Sequence, residues 1–515
     1  MINKSFILNY IKIYFWEFIS FIFRFISMFI VIPFLTKDPA IYGIYAICIS
    51  LGIFLNYADL GFLKATKKFA AEYYAKGDRD EEMKFLGFGI FILLIFTLII
   101  TTIFLYLAAY PNMIIDGLNT SDSISTASKL LAILAIFTPV TLLRRLVDMI
   151  FSIRLDNFIS KRIILIGSII TISSTFYFFG NDKYMIVSYF LFFKIIDFIV
   201  VIICIYIAKK KYNYNFLTLF SYIRFNLKVY NKANRLAYSG LYLMLAWVLF
   251  YELDQLVIGK FLGAEKVAIY SIALTFPILF RQLFGIFFNP FIERANHLIG
   301  INDNEGLEKL ILKIIIISAP LALIPTIAIS IVVKPFILSW VGIDYVESIN
   351  MAIFLVLSYS LSFITYPTDI ILLSKEKIKD LYVVATIPTV VFWIGVIITS
   401  PALGVFSFSL FKFIGMVIIQ VVYIPILLKT LNISLKVLIS RTIKPLIIPL
   451  IFLFLTLSIA NSFLPIEKAK VNFLITVSTT TFIILISFFL TYFTSKDIQA
   501  ISKNTLNSLK NRKNN

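Results

Sequence analysis

Side chains that bind metals or form disulfides are scarce in this sequence. Only two cysteines and one histidine occur among 515 residues. Cys48 and Cys204 each lie in an apolar run and His297 lies in a polar loop, so the sequence offers neither a disulfide framework nor a metal-ligand cluster. The phosphate-binding pattern G-x-x-x-x-G-K-[ST] is also absent, which excludes ATP binding through a P-loop. We therefore expect no metal and no cofactor.

Charged residues are also few, at 15% of the chain, where soluble domains carry roughly 25%. Apolar residues make up 60%, and 53 of the residues are phenylalanine. This composition excludes a soluble enzyme, a nucleic-acid-binding domain and a secreted disulfide scaffold as descriptions of the whole chain. Apolar runs of roughly 20 residues recur along it, each long enough to cross a bilayer. The sequence predicts an all-α polytopic membrane protein with about fourteen transmembrane helices.

The positions of the basic residues along the chain indicate the reason for the net charge of +19. Lys and Arg concentrate in alternate loops, for example at Lys209–Lys211 and at Lys375 and Lys377, and again in the C-terminal tail. Basic residues are retained on the cytoplasmic side, so we expect both termini in the cytoplasm. Topology and attraction to anionic membrane lipids explain the charge, and no nucleic-acid partner is needed.

A short internal repeat predicts two lobes. FLTKDPAIYGIYAI (Phe34–Ile47) follows the first span and FLGAEKVAIYSIAL (Phe261–Leu274) follows the seventh. Repeated bundles are common in transporters. We expect two pseudo-symmetric lobes of six helices each, followed by two further C-terminal helices. The predicted boundaries are an N-terminal lobe at 1–208, a cytoplasmic linker with an interfacial helix at 209–235, a C-terminal lobe at 236–428, appended spans at 429–494 and a cytoplasmic tail at 495–515.

Several basic residues fall inside the predicted spans. Each costs roughly 2.5–3.5 kcal/mol on insertion scales, so each needs a partner, a cavity or a route to the interface. Arg24 and Arg281 lie near mid-depth and have no opposite charge three or four residues away on their own helix. Their partner must come from another helix, from water or from a ligand. A water-filled anion-binding cavity is our hypothesis, with Arg144 and Lys412 as further candidates to bind substrate there.

Acidic residues inside the spans have two interpretations. Lys194 and Asp197 stand three residues apart, which predicts an ion pair within one helix. Glu17, Asp59 and Glu252 are candidates for ion coupling, because a buried carboxylate can exchange H⁺ or Na⁺.

Two segments carry a resemblance to a known family. Phe54–Phe62 (FLNYADLGF), and Tyr251–Gly263 (YELDQLVIGKFLG) followed by Ala268–Tyr270 (AIY), resemble bacterial polysaccharide flippases of the O-antigen and capsule type. These flippases belong to the multidrug/oligosaccharidyl-lipid/polysaccharide exporter superfamily. The resemblance implies two six-helix lobes around a central cavity, in the bacterial cytoplasmic membrane. It also implies movement of an undecaprenyl-diphosphate-linked oligosaccharide to the outer leaflet by alternating access, beside lipopolysaccharide or capsule polymerase and chain-length proteins.

Two alternatives stay open. A cation-coupled multidrug exporter of the same superfamily would favour buried acids over buried arginines, because its substrates are mostly cationic. A membrane glycosyltransferase or polymerase would need a large outer loop that carries chemistry, and the predicted outer loops are short. A non-enzymatic transporter is the leading interpretation.

Overall fold

The computed structural model describes residues 4–57 and 61–503, and within them the chain is helical throughout, with no β-strand. Four short 3₁₀ helices lie at Leu55–Tyr57, Pro111–Met113, Ile343–Tyr345 and Lys444–Leu446. The α-helices are α1 (Lys4–Leu35), α2 (Pro39–Phe54), α3 (Phe62–Ala75), α4 (Arg79–Ala109), α5 (Ser121–Ile153), α6 (Asn157–Phe179), α7 (Ile186–Tyr212), α8 (Phe216–Ser221), α9 (Leu227–Tyr251), α10 (Asp254–Phe261), α11 (Ala264–Gly300), α12 (Asn304–Val341), α13 (Ser348–Leu357), α14 (Ser362–Ser374), α15 (Ile378–Leu403), α16 (Phe406–Leu431), α17 (Leu435–Thr442), α18 (Ile447–Asn461) and α19 (Lys470–Thr494).

The predicted membrane-protein fold is confirmed. Within the described residues, 11 helical stretches are long and apolar enough to cross a membrane. Two more crossings are broken: Gly240–Tyr251 joins α10 at a bend of 45°, and α13 joins α14 at a bend of 49°. The apolar helix α2 has 16 residues and overlaps the apolar run 41–63, which the sequence predicts to be the second span. Together these elements agree with a fold of about fourteen transmembrane helices.

The chain forms two compact units, Met1–Ser271 (unit 1) and Ile272–Asn515 (unit 2). In unit 1, Phe85, Phe88 and Phe151 lie in an aromatic and aliphatic core that α3, α4, α5, α7 and α9 share. In unit 2, one core cluster joins α12 to the last two helices, for example through Ile324 and Leu453. Each unit therefore has its own hydrophobic core.

The segment 209–235, predicted to be a linker with an interfacial helix, contains the end of α7, the short helix α8 and the start of α9. Asn213 adopts a left-handed conformation (φ 49°) and ends α7. The side chains of Asn215 and Asn226 then cap the starts of α8 and α9. Leu219 of the six-residue α8 is fully buried in the unit 1 core. Three asparagines therefore divide the basic and aromatic segment into turns and capped helices, and its role as an interfacial linker stays a prediction.

Gly43 of the first repeat segment and Ala264 of the second lie in direct contact within unit 1. Tyr42 and Tyr270, the equivalent tyrosines, are both buried. Gly43, at the start of α2, faces the first residue of α11 so closely that a Cβ atom would lie 1.8 Å from the carbonyl oxygen of Ala264. Only glycine permits this approach of backbone to backbone.

Gly43→Ala should therefore destabilise the protein by at least about 2 kcal/mol, since one of the two helices must move. We expect a lower midpoint of thermal unfolding for the detergent-solubilised protein. Gly285→Ala is the matched control, because Gly285 is also helical and, apart from the nearby backbone of its own helix, no described atom lies within 4 Å of its Cβ position. That substitution should leave the midpoint unchanged or raise it slightly. Equal midpoints for the two variants would contradict the contact.

Candidate functional site

A cavity of about 370 Å³ lies inside unit 1, between α1, α5, α6 and α7. Its charged lining consists of three cations and one carboxylate: Arg24, Arg144, Lys161 and Asp197. Four hydroxyl side chains and a set of apolar residues complete the wall. Because the cations outnumber the carboxylate, the cavity favours an anionic guest.

Helix α1 directs one polar face into this cavity. Ser20, Arg24 and Ser27 follow the i, i+4, i+7 spacing that places side chains on one side of a helix. Arg24 has an exposed side chain and no hydrogen-bond or ion-pair partner among the described residues, although it lies near enough to Arg144 and Glu17 for electrostatic interaction. Ser20 is only 6% exposed, and its hydroxyl has no partner in the described part of the chain. The face therefore offers a guanidinium and a buried hydroxyl to a ligand.

Arg144 on α5 forms an ion pair with Asp197 on α7 at the cavity wall. Lys194 and Asp197 lie near enough for electrostatic interaction but do not form the predicted ion pair. Lys194 instead lies over the rings of Phe190 and Phe193, at 5.2 and 5.4 Å from their centroids. The planar guanidinium that reaches across from α5 is the better partner for a carboxylate than a lysine on the same helix.

Lys161 on α6 connects the cavity to a second ion pair. Its Nζ lies 3.8 Å from Oε1 of Glu17 on α1, with both side chains about one-third exposed. Asp148 on α5 lies near enough to Lys161 and Arg144 for electrostatic interaction but does not line the cavity. Glu17 is thus a partner of Lys161 in this structure, and its role in ion coupling stays a prediction.

The other predicted substrate-binding residues belong to unit 2. Arg281 and Asp369 each lie near enough to Tyr366 for electrostatic interaction, and the Asp369 carboxylate accepts a hydrogen bond from Tyr423. Lys412 is buried on α16, and its Nζ lies 5.4 Å from the ring centroid of Phe392. The unit 1 cavity therefore brings together Arg24 and Arg144 of the four predicted residues. A cavity shared by Arg24 and Arg281 stays a prediction.

Glu252, another coupling candidate, is buried at the break between α9 and α10. Its carboxylate accepts a hydrogen bond of 3.4 Å from the Tyr57 hydroxyl, and its backbone carbonyl accepts one of 3.4 Å from Ser50. These contacts tie the bend to α2 and the turn after it. Asp59 lies outside the described residues. Across residues 4–57 and 61–503, no group of three or more His, Cys, Asp and Glu side chains is arranged to hold a metal ion.

Sequence reasoning missed Ser20 and Lys161. Ser20 could have been found, because it stands four residues before Arg24 and so shares its helical face. Lys161 precedes the apolar run of α6, so the sequence alone places it in a cytoplasmic loop outside the span. Its side chain reaches the cavity only because α1 packs against α6.

No protein-family profile and no curated protein matches this sequence. Solved structures do match. The chain is similar to the lipid II flippase MurJ in an inward closed conformation, with a TM-score of 0.68 and 17% identity over 94% of this chain and 99% of that one. It is also similar to an inward-facing multidrug resistance MATE family transporter of the MOP superfamily, with a TM-score of 0.62 and 13% identity over 80% of this chain and 94% of that one. It is similar as well to a MOP superfamily transporter from Pyrococcus furiosus, with a TM-score of 0.57 and 12% identity over 82% of this chain and 95% of that one.

These likenesses establish that the chain has the fold of MOP superfamily transporters. The predicted resemblance is confirmed at the level of this fold. At 12–17% identity the shared fold does not select a substrate.

Proposed function

We propose that this protein is a flippase that moves a polyprenyl-diphosphate-linked oligosaccharide from the inner to the outer leaflet of a bacterial cytoplasmic membrane. The observation that carries the proposal is the cationic cavity of unit 1. The flippase and exporter folds that the chain resembles support movement of a substrate across the membrane by alternating access.

The chemistry of the cargo fits this cavity. A diphosphate and its sugars cannot cross roughly 30 Å of hydrocarbon without replacing their hydration. The guanidinium groups of Arg24 and Arg144 can each donate two parallel hydrogen bonds to phosphate oxygens, and Lys161 adds a third positive charge. The unpartnered hydroxyl of Ser20 is one further donor. The prenyl chain can stay in lipid while the headgroup moves.

Coupling and partners extend the proposal. An H⁺ or Na⁺ gradient would drive the cycle, with Glu17, Asp59 and Glu252 as the candidate carboxylates. Arg281 and Lys412 of unit 2 stay candidates to bind the substrate. The polysaccharide polymerase and chain-length proteins that act on the exported unit are the proposed protein partners.

A multidrug exporter is the second candidate, because solved MATE structures share the fold and unit 2 holds the acidic residue Asp369. The unit 1 cavity disfavours a cationic drug, since three cations line it and like charges repel inside a low-dielectric protein. An anionic headgroup is the better match.

Deletion of the gene tests the proposal. We expect one surface glycan to disappear and its lipid-linked precursor to accumulate in the inner leaflet, because the precursor can no longer cross. Re-expression of the intact chain should restore the glycan, and the tolerance of the cells to cationic drugs should not change. Normal surface glycans together with lost efflux of a cationic dye would replace the flippase with the exporter.

A further inference from the structure

The ion pair between Arg144 and Asp197 stands in the wall of the cavity that the proposed function assigns to the diphosphate. We propose that Asp197 is a tethered competitor for the substrate's phosphate. It occupies Arg144 while the cavity is empty and is displaced when the anion binds. This inference rests on the proposed function and assigns a positioning role to a residue that does not itself bind the substrate.

Two Arg–carboxylate pairs of unit 1 show why this pair can exchange. Arg154 and Glu82 are sealed in the core, with side chains 2% and 0% exposed. Arg144 and Asp197 are 33% and 22% exposed, and both line the cavity. An entering anion can therefore reach Arg144 without opening the core. The same accessibility lets Asp197 return when the anion leaves.

The chemistry of exchange is direct, because carboxylate and phosphate oxygens are equivalent acceptors for a guanidinium group. Arg144 donates to Asp197 through Nη1, and a guanidinium carries five N–H donors, so an incoming phosphate can form its first bonds before Asp197 departs. Arg24, which has no carboxylate partner among the described residues, is the first contact for the anion. Displacement of Asp197 from Arg144 thus lowers the affinity of the cavity for the anion.

A competitor of this kind speeds the release of the substrate in each transport cycle. A transporter that binds its anion through two arginines and a lysine without competition would hold it tightly and release it slowly. Return of Asp197 to Arg144 offsets part of the binding free energy at the moment of release. The empty cavity also keeps a smaller uncompensated charge, which lowers repulsion between Arg24 and Arg144.

Binding and export should therefore respond to Asp197→Asn in opposite directions. The probe is farnesyl diphosphate, titrated calorimetrically into the detergent-solubilised full chain. We expect Asp197→Asn to bind it roughly tenfold more tightly than the unmodified protein. The gain arises because Arg144 no longer has to give up a charge-assisted hydrogen bond to Asp197 before it binds the phosphate. Surface glycan export by the same variant should fall severalfold at normal membrane abundance. A purely structural role would weaken both.

Asp148→Asn is the matched control for long-range electrostatics. Asp148 lies near Arg144 and Lys161 but outside the cavity lining, so its removal should change affinity less than about twofold. A double-mutant cycle adds a second test, because it shows whether the effect of Asp197→Asn depends on Arg144. In an Arg144→Gln background, Asp197→Asn should no longer tighten binding.

The outcomes separate this inference from the proposed function. If the unmodified protein binds farnesyl diphosphate and Arg144→Gln weakens it, but Asp197→Asn leaves the affinity unchanged or lower, the competitor role is overturned and the flippase proposal stands. Equal tightening by Asp148→Asn also overturns it, because a general field effect then accounts for the gain. Failure of the unmodified protein to bind the probe overturns both.

Discussion

Arg24→Ala and Arg144→Ala should each remove most glycan export, by about tenfold to a hundredfold, while the protein still inserts at its normal level. Each substitution deletes a charged donor from the cavity wall, and hydrogen bonds to charged groups contribute about 1.5–3 kcal/mol. Arg→Lys at either position should restore export only in part, because an ammonium group keeps the charge but cannot form two parallel bonds to one phosphate. The measurement is surface glycan against membrane abundance.

Arg162→Ala is the control for this pair of substitutions. Arg162 directly follows Lys161 on α6, but its exposed guanidinium stacks on the ring of Trp16 at 4.5 Å, and it does not line the cavity. We expect nearly normal export from it. Full export from Arg24→Ala or Arg144→Ala at normal abundance would remove the anion-binding role of the cavity. Lost export with lost protein would instead identify the arginine as structural.

Arg154→Ala should have the largest effect on folding, with a loss of about 3–5 kcal/mol. The guanidinium lies 2.8 Å from the Glu82 carboxylate and stacks on Tyr74, Tyr212 and Tyr214, at 4.6, 5.0 and 5.2 Å from their ring centroids. Its removal leaves a fully buried carboxylate without its enclosed partner and an empty space between three rings. We expect severalfold less folded protein in the membrane and a lower midpoint of thermal unfolding.

The second partner of Glu82 provides the comparison. Arg79 lies 2.9 Å from the other carboxylate oxygen, but its side chain is half exposed. Arg79→Ala should cost only about 0–1 kcal/mol, because water can replace an exposed partner. If Arg154→Ala unfolds at the same temperature as Arg79→Ala, burial does not decide the strength of these pairs.

The fold could be predicted because it depends on a signal that the sequence repeats many times. Each crossing needs a long apolar run, and helices satisfy their own backbone hydrogen bonds in lipid. Spans broken at Glu252 and near Ser358 still carry this signal over their whole length. Shorter features were harder to place: the predicted second span ends at residue 63, whereas α2 ends at Phe54 and α3 begins at Phe62.

The candidate site could be predicted only in part. Their positions inside predicted spans identify Arg24 and Arg144 as candidates, because a charged side chain in lipid is costly. These positions do not reveal their neighbours. Asp197 pairs with Arg144 on another helix, and Glu17 pairs with Lys161 far along the chain. Such pairs depend on how helices are rotated and packed against each other, which spacing within one helix does not record.

The close approach of Gly43 to Ala264 also limits how the first repeat segment can evolve. The atom that blocks a side chain at position 43 is a backbone oxygen, which every amino acid carries. A substitution at position 264 therefore cannot make room for a larger residue at position 43. Position 43 must therefore stay glycine whatever residue stands at position 264. Drift at position 43 is restricted by the main chain of the second segment.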